Sequence, residues 1–132
     1  MAIGRSSHNA VLLADGRVLI VGGTGDMSPS AIAQSELFDP ISGTFSLTGS
    51  LGTERWTPTT HRLDDGRVLV TGGTIGGGDV WKSVEIYDPT SGTFVAAANM
   101  NTPRDEHASV LLPSGQVLVV GGTNYGNFRL DT

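Results

Sequence analysis

Several residue types in this chain could do chemistry, and each raises a specific question. Glycine pairs at 22–23, 72–73 and 121–122 each close an apolar run. Such a pair could cradle a phosphate if a helix opened directly after it. The next residues are "TGDMSPSAIAQ" with Pro29 inside it, or "TIGGGDV", and neither reads as an amphipathic helix. The glycines are therefore expected to build the fold, where a side chain would not fit. His8, His61 and His107 invite a metal site. His8 and His107 each stand three residues after an arginine, in the same position of different copies of a repeat. They are expected to pack or hydrogen-bond, with no metal bound. His61 and Arg62 replace Val11/Val110 and Leu12/Leu111 of the other copies. That exchange reads either as a task special to one copy or as a compensated core substitution. Asp39 and Asp88, in "DPISG" and "DPTSG", are expected to bond their own backbone two residues on rather than bind calcium or sugar. The chain has no cysteine, which removes disulfides, thiolate metal sites and cysteine nucleophiles.

The elements that position these residues recur. "DGRVLIVGGT" (15–24) returns as "DGRVLVTGGT" (65–74) and "SGQVLVVGGT" (114–123), at spacings of 50 and 49 residues. "SELFDPISGTF" (35–45) and "SVEIYDPTSGTF" (83–94) share the period. Arg5, Arg55 and Arg104 each stand 11 residues before a turn glycine. A period of this size means one supersecondary unit copied in series. Each unit reads as four strands. The first is "HNAVLLA", "TTHRLD" or "HASVLLP"; the second is the RVLIVGG element. Asp15-Gly16 and Asp65-Gly66 between them suit a type I′ turn. The third strand is "SELFD" or "SVEIYD", and the fourth begins "TFSL" or "TFVA". A four-stranded unit buries both faces only by stacking on a neighbour, so the fold class is all-β.

The glycine pairs, the "FDPISGTF" and "YDPTSGTF" strings and the aromatics Phe38, Phe45, Tyr87 and Phe94 resemble the Kelch-repeat β-propeller family. "LLADGRVLIVGG" is similar to bacterial Kelch proteins and to the propeller of galactose-oxidase-like enzymes. The resemblance implies a Kelch-type β-propeller fragment of about two and a half four-stranded antiparallel blades. Blade one runs over about 5–54, blade two over about 55–103, and an incomplete blade three over about 104–132. Leu130-Asp131 align with Phe38-Asp39 and Tyr87-Asp88, which gives eleven strands ending on a third strand of blade three. Eleven, doubled or tripled, does not divide by four. The chain reads as a piece of a longer propeller or a truncated product, with open blade edges that favour self-association.

Composition narrows the partners. The net charge is −5, and the eight basic residues are spread out, which argues against nucleic acid. No apolar run approaches a membrane span. Residues 1–20 carry no basic stretch followed by an apolar one, and the compartment stays open. The expected binding face is the one carrying the loops after the glycine pairs and the links between blades. Its candidates are Arg55, Trp56, Asp79, Trp81, Arg104, Asp105 and Tyr125, with Asp26 in the first loop. For the arginines, a structural contact repeated in each blade stands beside the ligand role as an equal alternative. Trp56 and Trp81 have no counterparts in the other units, which favours function. The reading is a non-catalytic binding module for a protein or glycan, with no cofactor. The alternative is the scaffold piece of a secreted galactose-oxidase-like or other carbohydrate-active enzyme. The cysteine–tyrosine cross-link implied by that resemblance cannot form here, so catalysis would need residues outside this chain.

Overall fold

The computed structural model describes residues 1–25, 28–124 and 129–130. Asp26, Tyr125 and Asp131 lie outside the described residues. Among those described, every regular element is a β-strand. The first unit holds β1 (Arg5–Ser6), β2 (Asn9–Leu12), β3 (Val18–Val21), β4 (Thr24–Gly25), β5 (Ser28–Ala31), β6 (Gln34–Asp39) and β7 (Thr44–Ser50). The second holds β8 (Thr59–Arg62), β9 (Val68–Thr71), β10 (Thr74–Gly76), β11 (Asp79–Val80), β12 (Val84–Asp88) and β13 (Thr93–Ala96). The third supplies β14 (Ala108–Leu111) and β15 (Val117–Val120).

Two four-stranded antiparallel sheets, β2-β3-β6-β7 and β8-β9-β12-β13, repeat the same meander. β14 and β15 form a two-stranded sheet in register with the start of each meander. The units stand side by side: β2 contacts β8, β8 contacts β14, and β7 contacts β13. Continuous β-branched and aliphatic runs suit strands covered on both faces, and β3 and β9 are such strands. The core lies between the first two sheets. Leu13, Leu19 and Val21 meet Val68, Val70 and Tyr87, with Leu37 and Leu51 closing the cluster. Tyr87 is fully buried, and its hydroxyl lies 2.8 Å from Thr48 Oγ1 of the first unit. Phe38 and Phe45 stack tilted at 4.7 Å, as do Tyr87 and Phe94 at 4.9 Å.

The turns follow the sequence at one end and depart from it at the other. Asp39 Oδ1 accepts from the Ile41 amide and Asp88 Oδ1 from the Thr90 amide, both at 2.8 Å. The turn between the first two strands is not type I′. Only its glycine is left-handed (Gly16 φ 88°, Gly66 φ 86°), and Asp15 and Asp65 are not. Gly16 N–H bonds Leu13 O and Gly66 N–H bonds Leu63 O, which makes a three-residue loop with a glycine bulge. The aspartate instead accepts from the backbone and guanidinium of the arginine two residues on.

Candidate functional site

The face in question is built by the glycine pairs. The first glycine of each of the first two pairs sits against the next unit. A Cβ on Gly22 would lie 2.5 Å from Arg55 O, and one on Gly72 would lie 2.4 Å from Arg104 O. Each second glycine sits against its own unit's link. A Cβ there would lie 2.6 Å from Ser6 O at Gly23, 2.5 Å from Trp56 O at Gly73 and 2.4 Å from Asp105 O at Gly122. Gly23 N–H donates to Arg55 O at 2.9 Å, and Gly73 N–H to Arg104 O at 3.0 Å. The pairs are therefore the seam between consecutive units.

The repeated arginines finish the same seam. Arg55 is fully buried, and all five of its N–H donors are occupied. Nε donates to Thr53 O, Nη1 to Gly72 O and Ser83 O, and Nη2 to Ser83 Oγ and Glu85 Oε1. Glu85 in turn accepts from the amides of Gly52 and Thr53 at 2.7 and 3.1 Å. Arg5 repeats the pattern with Gly22 O, Gln34 O and Glu36. Arg104 is buried and donates to Gly121 O at 2.8 Å. Arg55 and Arg104 are both buried and donate to backbone carbonyls, the placement that the structural alternative expects for them. Glu36 and Glu85 escaped the sequence reading. Their signal was a carboxylate inside an apolar strand, at one repeat position, some thirty residues after each arginine.

The loops after the first two glycine pairs are hairpins, and each loop is tied to its unit's link. β1 pairs with β4, which pairs with β5; β10 pairs with β11; Trp56 bridges Thr74, and Asp105 bridges Thr123. In the second unit this gathers three of the candidates. Trp56 is half-buried and lies against Gly76, where a Cβ would come 2.5 Å from its ring. Its indole N–H is buried and has no hydrogen-bond partner among the described residues. Trp81 is half-buried, donates its amide to Gly73 O at 2.8 Å and its indole N–H to Glu54 O at 3.2 Å. Its carbonyl accepts from the Arg104 amide at 3.1 Å. Asp79 is exposed at the hairpin's turn. Asp105 is half-buried, and its carboxylate accepts from Thr123 Oγ1 at 2.6 Å. Tyr125 falls outside the described residues.

The histidines divide. His8 is exposed, whereas His107 is buried between the second and third units. His107 Nε2 lies 2.9 Å from Thr59 Oγ1 and 3.0 Å from Thr71 Oγ1. Burial first, and then the Arg104 charge, push its imidazole down to about 4, with Asp105 pulling the other way. His61 Nε2 meets Ser109 Oγ at 2.7 Å, which makes it a polar contact between the first strands of adjacent units. Among the described residues no three His, Asp or Glu side chains converge.

The third unit differs from its expected layout. Leu130 N–H donates to Gly122 O at 3.0 Å, as Ile32 does to Gly23 and Trp81 to Gly73. Arg129 bridges Thr123 as Val80 pairs with Thr74. Leu130 thus stands in the register of Ile32 and Trp81, not of Phe38 and Tyr87. Among the described residues the third unit supplies no third strand, and the rest of the expected eleventh strand, Asp131 included, lies outside the described residues. The Leu-Asp pair imitated Phe38-Asp39, whereas Leu130 stands eight residues after Gly122, as Trp81 does after Gly73.

The second unit is also where a family model matches. Residues 53–101 fit the family model of the Kelch motif. This match supports a Kelch-repeat family. Among curated proteins none matches the chain. The all-β architecture of antiparallel four-stranded sheets agrees with Kelch blades of a propeller fragment, and a Kelch motif points in general to a binding or interaction module.

Proposed function

We propose that this chain is a non-catalytic binding module that takes a protein or glycan ligand on the loop face of its second unit. The observation that carries the reading is the grouping of Trp56, Asp79 and Trp81 on one hairpin and link, two of them tryptophans without counterparts in the other units. Aromatic side chains held by backbone contacts offer a large contact area at little entropic cost. Asp105 extends the surface toward the third unit. The likeness to galactose-oxidase-like propellers of bacterial type remains part of the reading for the scaffold, and it rests on the "LLADGRVLIVGG" string.

Tryptophan fluorescence against a panel of oligosaccharides and candidate protein ligands tests this. Asp79→Ala and Trp81→Phe should each weaken binding by about tenfold, a typical anchor loss. Asp79→Ala should leave the melting temperature unchanged, because its side chain is exposed. A ligand that binds both variants as it binds the native chain would assign the site elsewhere.

A further inference from the structure

Trp56 belongs to the candidate face without being open to it. Gly76 of β10 lies on its ring: a Cβ there would come 2.5 Å from Cζ2 and 3.5 Å from Cε2, the carbon that bears Nε1. The indole N–H is buried and has no hydrogen-bond partner among the described residues. A buried donor without an acceptor bears its full desolvation cost. Water or a ligand group that reaches Nε1 removes that cost.

The hairpin that carries Gly76 has a fixed base and a light tip. At the base, Trp56 and Thr74 exchange backbone bonds at 2.8 and 3.1 Å, Trp81 N–H donates to Gly73 O, and Val80 is buried. β10 also lies against β5 of the first unit. The tip holds the pair Gly76↔Asp79, and the register shifts between it and Thr74↔Val80. Gly77 and Gly78 make the turn with φ of 68° and 98°, and a Cβ on either would meet nothing within 4 Å. Two positive φ values in a two-residue loop fit a type I′ turn. One side chain joins the two arms. Thr74 Oγ1 accepts from the Gly76 amide at 3.0 Å and donates to the Asp79 carbonyl. Three glycines in a row leave the released tip many conformations, which favours release.

We infer that residues 75–79 are a lid over Trp56, hinged at Thr74 and Val80 and latched by the Thr74 hydroxyl, and that a ligand on this face reaches the Trp56 ring and N–H only when the lid lifts. The open lid admits a group with a flat face for the indole and an oxygen acceptor at its edge for Nε1. Lid, latch and hinge lie wholly within the second unit. The inference rests on the loop-face reading for what the lid serves, but the lid itself is tested without any ligand.

The measurement is solvent exchange of the two indole N–H protons, followed by NMR on the full chain at urea concentrations below its unfolding transition. Trp56→Phe and Trp81→Phe each remove one signal, so either variant alone assigns both. The Trp56 proton should exchange through a local opening whose rate does not change with urea. Thr74→Val should speed that exchange about fivefold, the loss of the latch bond. Gly77→Asn should slow it about threefold, because Asn-Gly suits the type I′ turn and narrows the conformations of the open lid. Exchange of the Trp56 proton with the urea dependence of global unfolding would overturn the inference. So would exchange as fast as that of a free indole, or a rate that neither substitution moves. No ligand enters the measurement, so its failure removes the lid and leaves the loop-face reading to its own titration.

Discussion

At the scale of single residues, repetition separates what makes the fold from what the fold presents. Gly72 has φ +60° and meets Arg104 O, so Gly72→Ala meets both backbone strain and a clash. Gly121 has a similar φ of +66°, but its nearest contact is Leu130 O at 3.9 Å. Gly72→Ala should therefore cost at least about 2 kcal/mol in urea unfolding, and Gly121→Ala only about 1 kcal/mol. Equal losses would remove the seam as the reason for the pair. His107 gives a second expectation. Its folded-state pKa is depressed to about 4 from the ordinary histidine value of 6.5. The unfolded chain therefore takes up a proton first as the pH falls. The stabilisation is fully present above about 6.5 and is lost as the pH drops toward about 4, by up to about 3 kcal/mol. His107→Gln should flatten the pH profile of stability over that window relative to the native chain, and an unchanged slope would refute the assignment.

At the scale of elements, identical sequence patterns behave differently because their neighbours differ. "VLIV", "VLVT" and "VLVV" are near-copies, yet among the described residues β3 and β9 have strands on both sides whereas β15 has β14 on one. Apolar burial and pairing on both edges resist local opening, so amides within β15 bonded to β14 should exchange at least about tenfold faster than those of β9 bonded to β8. Matching protection would contradict the picture of an open edge. The sequence showed these strands plainly, because the strings repeat at a fixed period and Asp39 and Asp88 mark their turns. It did not show the hairpin between the first two strands correctly. Asp-Gly suits more than one turn, and here Asp15 and Asp65 bond forward to Arg17 and Arg67 without turning left-handed. Nor did it show that the loops after the first two glycine pairs fold into hairpins tied to the links, because those bonds join segments of low mutual resemblance.

At the scale of the whole molecule, the units are joined by a buried ionic and backbone seam, and the proposed binding surface is what the seam leaves facing out. The arginines were visible as a repeated feature. Their structural role was one of two alternatives, and the partners were not visible, since the carboxylates that meet Arg5 and Arg55 lie some thirty residues away and are recognised only once the strands pair. Trp56 and Trp81 stand out in the sequence because they have no counterparts in the other units. The central claim is that repeated residues build the scaffold and non-repeated ones form the site, and Arg55 tests it most directly. Equilibrium urea unfolding of Arg55→Met beside Asp79→Ala decides it. Removing Arg55 leaves Glu85 buried without its cation, which should cost about 3–5 kcal/mol or prevent folding outright, while Asp79→Ala keeps the native midpoint. A native midpoint for Arg55→Met would contradict the account.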